Sequence, residues 1–138
     1  MSRLTFAALL VVALGAAGCS NNTPTTPTPT PTPTQVSDTF NGTLTRNGAA
    51  SYAFNVSAAG AVFATLASVA DSTVPVGMSL GIWNTTTSAC TVVLANDNAI
   101  QGTTITGSAS GIGQLCVRVY DVGKVADPLD YQVTVVHY

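Results

Sequence analysis

The sequence predicts an all-β domain over residues 36–138, a sandwich or barrel of about eight short strands. Three observations carry that expectation. From Val36 onward, short runs of β-favouring residues alternate with turn residues. The composition leans on Thr, Val, Ser, Asn and Gly, contains no Glu, and is only 7% charged, against about 25% in an ordinary soluble domain. Long helices draw on Glu, Lys, Arg and Leu, and no stretch beyond residue 18 sustains a helical period of apolar residues. About 100 residues suffice to bury a core without a metal or partner.

Residues 1–18 read as a signal peptide: Arg3 supplies the positive start, Leu4 to Ala17 the apolar run, and small residues the cut. The run is too short for a transmembrane helix, which needs about 20 apolar residues. The stretch Leu14-Gly15-Ala16-Ala17-Gly18-Cys19-Ser20 resembles the lipobox of bacterial lipoproteins, in which a cysteine after small residues is lipidated and becomes the new N-terminus. Ala16 stands where that motif usually has Leu. The resemblance implies lipidation at Cys19 and a membrane partner reached through that lipid. Ser20, where inner-membrane lipoproteins of Gram-negative cells carry Asp, implies a cell-envelope location favouring the outer membrane. An ordinary secretory signal cut near Ala17, with Cys19 incidental, is the alternative.

Residues 19–35 form a linker. Thr23 to Thr34 alternate Thr with Pro, and proline fixes φ and removes backbone donors, so neither helix nor sheet is expected. A polyproline II spacer of roughly 35–40 Å follows from about 3.1 Å per residue. Such repeats can carry O-linked sugars, but a plain tether is the simpler reading.

Strands are expected near 36–45, 49–57, 61–69, 76–84, 90–95, 102–106, 112–121 and 130–137. Asn47-Gly48 between the first two signals a tight hairpin, because both residues tolerate positive φ. Alternation assigns faces. Tyr52, Phe54 and Val56 face the core from the second strand, and Met78, Leu80 and Ile82 do so from the fourth, turning Trp83 outward. In the seventh, Leu115, Val117 and Val119 point inward and Cys116, Arg118 and Tyr120 outward. Tyr131, Val133 and Val135 share a face in the last.

Four phrases in order, Phe40-Asn41-Gly42-Thr43-Leu44, Tyr52-Ala53-Phe54-Asn55-Val56, Gly113 to Asp121 (GQLCVRVYD) and Tyr131-Gln132-Val133-Thr134-Val135, resemble the bacterial pre-peptidase C-terminal domain. The likeness covers most of residues 36–138. It implies a jelly-roll β-sandwich and a non-catalytic module that accompanies secreted enzymes or builds surface proteins. No peptidase precedes the domain in this sequence, so an accessory role in cis is not expected.

Charge removes two partner classes. Loss of residues 1–18 takes Arg3, leaving three basic residues (Arg46, Arg118, Lys124) against six Asp, a net charge of 3 − 6 = −3. The cations are isolated, so neither nucleic acid nor a basic membrane-surface patch is expected. Cys90 and Cys116 are the cysteines left beside Cys19, and in an exported protein such a pair reads as a disulfide. A metal site would want more soft ligands than His137 offers, and a cysteine nucleophile would want a histidine-centred constellation. A bridge would require spatial contact between the fifth and seventh strands, as a Greek key makes.

The remaining candidates are few. His137 has no Gly-x-Ser-x-Gly elbow or carboxylate pair to work with and reads as a strand-end histidine. Trp83, joined by Tyr120, offers an outward aromatic surface for a glycan or protein ligand, or is covered by a neighbouring loop or the spacer. Asn96-Asp97-Asn98 and Asp121, Asp127 and Asp130 fall in presumed loops. With Asp38 they could supply hard oxygens to calcium, but Asx residues more often cap turns, so no metal and no cofactor are expected. With almost no His, Glu or Lys to tune, the chain reads as a non-catalytic envelope lipoprotein displaying a binding or structural module. An accessory subunit of a secreted hydrolase, or a small hydrolase, is the alternative.

Overall fold

A computed structural model describes residues 28–138, so the signal peptide and Cys19 lie outside the described residues. Residues 28–35 are exposed and without regular secondary structure, and Pro31–Tyr138 form one compact unit. Eight strands follow: β1 Val36–Leu44, β2 Ala49–Val56, β3 Gly60–Val69, β4 Val76–Asn84, β5 Ala89–Ala99, β6 Thr104–Ala109, β7 Gly113–Tyr120 and β8 Leu129–His137. They form two antiparallel four-stranded sheets, ordered β1-β8-β3-β6 and β2-β7-β4-β5. The expected all-β sandwich is the observed fold, and its strand order is that of a jelly roll. No helix among the described residues is long and apolar enough to cross a membrane.

The order has a simple origin. Pairings β4–β5, β3–β6, β2–β7 and β1–β8 are nested in sequence, so the chain is one long antiparallel hairpin rolled upon itself. Its tip is the turn between β4 and β5, where the Asn84 side-chain oxygen accepts from the backbone N–H of Thr86 at 3.0 Å and of Thr87 at 3.1 Å. Such Asx bonding supplies the turn that β-rich Thr residues alone would not. It is the one connection that joins neighbouring strands of the same sheet; the others cross between sheets.

The expected hairpin at Asn47-Gly48 is therefore corrected. Asn47 does adopt φ 55°, but β1 and β2 lie in different sheets. The turn is an inter-sheet corner. Gly48 N–H donates to the Thr45 carbonyl at 2.8 Å, and Asn47 N–H donates to Asp121 Oδ2 at 2.8 Å. A Cβ at Gly48 would come within 2.8 Å of the Thr45 carbonyl oxygen, so close approach, rather than a hairpin, requires this glycine.

The core lies between the inner faces. Leu44, Phe54, Val62, Leu66, Met78, Val117, Val119, Val133 and Val135 are all buried, each contributing about 1.5–3 kcal/mol relative to exposure. Two further expectations change. Asn96-Asp97-Asn98 are not a loop; they continue β5, with Asn96 opposite Met78. Ile82 shares the inner face with its partner Leu115 but is 56% exposed. The β4–β5 register slips between Leu80 and Gly81, and a bulge of this kind bends a strand out of the plane of its neighbours. Ile82 is left at an open margin.

Cys116 is on the outer face by alternation yet fully buried. It is opposite Gly81 of β4, while Cys90 is opposite Trp83, and the two cysteines form a disulfide with Cα atoms 5.8 Å apart. Strands two apart would normally be about 9.5 Å apart. Gly81 removes the obstacle: a Cβ there would collide with the backbone of Thr91. β5 thus closes over β4, and the bridge joins β5 to β7 as a Greek-key contact.

Candidate functional site

Strand pairing gives the sandwich two unlike ends. At one end, β1 begins, β8 finishes, and the short connections 57–59, 85–88 and 110–112 turn. At the other, the corner 45–48 and the connections 70–75, 100–103 and 121–128 turn. The loops of the first end contain only Ser, Ala, Thr, Gly and Ile. Those of the second hold Arg46, Asp71, Asp121, Lys124 and Asp127, and Asp97, Arg118 and Asp130 lie in the strand portions next to it. Among the described residues only Asp38 is charged towards the first end, where its Oδ2 is 3.0 Å from His137 Nε2.

At this charge-poor end the sheets part. The edge strands β5 and β6 stand over a groove of about 900 Å³. Its walls are Val56, Val62, Leu80, Ile82, Leu94, Ala109, Ile112 and Leu115, with Trp83 and Val93 among the lining residues. Thr85, Thr106, Ser108, Ser110 and Gln114 contribute uncharged polar groups. Gly107 also lines it, where an added Cβ would meet Leu80 and Leu94 side chains at 3.4 and 3.5 Å. Ile112 (85% exposed), Val93 (63%) and Ile82 (56%) leave apolar surface in water. All three side chains belong to residues that line the groove, so its apolar lining reaches the surface. Nothing in the lining ionises near neutral pH, so the groove can receive an apolar, uncharged group and has no proton carrier for acid–base chemistry.

The other candidate residues are placed as follows. Trp83 lines the groove beside the disulfide. Tyr120 does not join it: Tyr120 is opposite Gly77, six positions from Trp83 along β4 (83 − 77), or roughly 20 Å. Tyr120 covers Gly77, where a Cβ would strike its ring, and the Arg118 guanidinium sits 5.5 Å from the ring centre. Its hydroxyl donates to Asp97 Oδ1. Burial, then the Asp97 carboxylate, push this phenol up to about 12, so it stays a protonated donor. The expected Trp83–Tyr120 aromatic surface is thus two separate places.

His137 is buried on the core side, its ring 5.0 Å from that of Phe54, with Nδ1 3.2 Å from the Tyr138 carbonyl. No nucleophile accompanies it in these contacts. Asp121 organises the far end. Its Oδ1 accepts from the N–H groups of Gly123, Lys124 and Val125 at 2.8–3.0 Å, and Oδ2 holds Asn47. These donors, Asn47 first, lower its pKa to about 2. Asp130 accepts from the Thr43 hydroxyl at 2.6 Å. Among the described residues no three His, Cys, Asp or Glu side chains group as a metal site.

No protein-family model matches the chain, and no curated protein does either.

Residue order alone does not reveal the groove. One signal was present: Val92-Val93-Leu94 breaks alternation within an edge strand, which neither a one-sided nor a capped edge requires.

Proposed function

We propose that the chain is a non-catalytic envelope lipoprotein, held to a membrane through Cys19, with the outer membrane favoured. Its sandwich is a binding module whose open end takes an apolar, uncharged ligand. The observation that carries this reading is the groove lining: aliphatic walls, a tryptophan, hydroxyl and amide groups, and no titratable side chain. A hydrolase would need a base or a nucleophile–base pair there. The lipobox at Cys19 and the Thr-Pro tether support display at a membrane.

Trp83 is the only tryptophan, so its emission reports the groove. N-phenyl-1-naphthylamine, a neutral apolar fluorophore, should accept energy from Trp83 in a saturable one-site titration. Gly107→Leu, which fills the floor against Leu80 and Leu94, should abolish that transfer while the protein stays folded by circular dichroism. Unsaturable transfer, or transfer indifferent to Gly107→Leu, overturns the binding reading. For the anchor, the mature N-terminal peptide should carry a diacylglyceryl group on Cys19; a start at any other residue removes it.

A further inference from the structure

We infer that the ligand of the open end is a lipid bilayer: the β6–β7 tip and the groove rim insert among the acyl chains of the membrane that anchors the protein. The inference rests on reading this end as a binding surface, and it names the partner.

Three observations converge on lipid. Among the described residues Asp38 is the one charged side chain towards this end, while the opposite end collects the others, so the molecule has one face that leaves water more cheaply than the other. Ile112, the most exposed large hydrophobic residue among those described, stands in connection 110–112, with Ile82 and Val93 also exposed around the groove. Trp83 belongs to the same rim, and its amphipathic indole suits the boundary between headgroups and acyl chains. Complementary charges would steer and orient a soluble partner; the groove lining holds hydroxyl and amide groups but none that ionise.

The chain outside the structure points the same way. β1 begins at Val36 at this same end, and residues 20–35 separate it from Cys19. Sixteen residues (35 − 19) at about 3.1 Å each reach roughly 50 Å, so a lipid on Cys19 leaves this end free to meet the bilayer. Tethering makes the second contact intramolecular, and a docking affinity too weak to hold a free domain then suffices. The absence of exposed cations at this end makes the interaction indifferent to anionic lipid and to salt.

The test uses residues 20–138, which lack both Cys19 and the apolar run Leu4 to Ala17 and keep the whole compact unit, and phosphatidylcholine vesicles. Co-sedimentation should be weak and unchanged by added salt or anionic lipid, with a blue shift of Trp83 emission. Ile112→Asp should weaken it by roughly tenfold or more. Ile100→Asp, at an exposed isoleucine (47%) in a connection of the charged end, should leave it unchanged. Equal loss in both variants, binding that needs anionic lipid, or no binding at all overturns the inference. Self-association lost in Ile112→Asp, in place of vesicle binding, makes this end a contact between copies and equally overturns it. Saturable N-phenyl-1-naphthylamine binding without vesicle binding leaves the groove as a small-ligand site and removes only the bilayer.

Discussion

Asp121 shows how much one side chain can organise without being buried. Four backbone N–H groups converge on its carboxylate, one from the β1–β2 corner and three from the connection before β8. These donors favour the ionised form, which lowers its pKa from the ordinary value near 3.9 to about 2. A depressed carboxylate contributes stability that is present above the unfolded pKa and lost as pH falls through the folded one. The wild-type protein should therefore lose melting temperature between about pH 4 and pH 2 more steeply than Asp121→Asn, which should already melt lower at neutral pH. Parallel pH profiles for the two proteins would contradict this role. From sequence alone Asp121 reads as a loop residue suited to calcium or, more often, to turn capping. Its backbone partners explain it as a capping residue, although Asn47 lies 74 positions away and no local pattern could identify that donor.

Among the elements, β4 and β5 carry the departures from expectation. Alternation located the strands well because half-buried strands repeat every two residues. It failed at Ile82, where a register slip in β5 changes what lies opposite, and slips leave no mark in composition. It failed too at Asn96–Asn98, where loop-favouring residues occupy an edge strand whose outer side meets water. Gly77 and Gly81 were legible only as glycines; their reason is the Tyr120 ring and the Thr91 backbone lying against them. The disulfide is the element-scale prediction with the largest stability effect. It closes a separation of 26 residues, so Cys90→Ser with Cys116→Ser should cost about 3–4 kcal/mol in the chain-entropy account. Urea unfolding with an unchanged slope reads that loss. Because the bridge keeps β5 closed over β4, the double variant should also weaken energy transfer from Trp83 to the bound naphthylamine. A stability loss below about 1 kcal/mol would mean that Gly81 and the ladder alone hold the two strands.

At the scale of the whole molecule, the jelly roll explains why the ends differ. Rolling one long hairpin sends the start of β1, the end of β8 and the hairpin tip to one end, and four inter-sheet connections to the other. Among the described residues every charged side chain except Asp38 lies in three of those connections or in the strand portions beside that end. The fold class and the strand count could be read from residue order, because turn residues and β-rich runs are local signals. The polarity of the molecule could not, since it arises only when the order of strands in space is known. That polarity sets the orientation proposed for the molecule at the membrane. Native protein purified from membranes and reconstituted into phosphatidylcholine vesicles tests it through Trp83. Quenching of its emission by phosphatidylcholine brominated on the acyl chains, with protection from aqueous iodide, is the result expected of a groove rim seated at the bilayer. Full quenching by iodide with none by the brominated lipid would mean that the open end faces water, and would contradict the account.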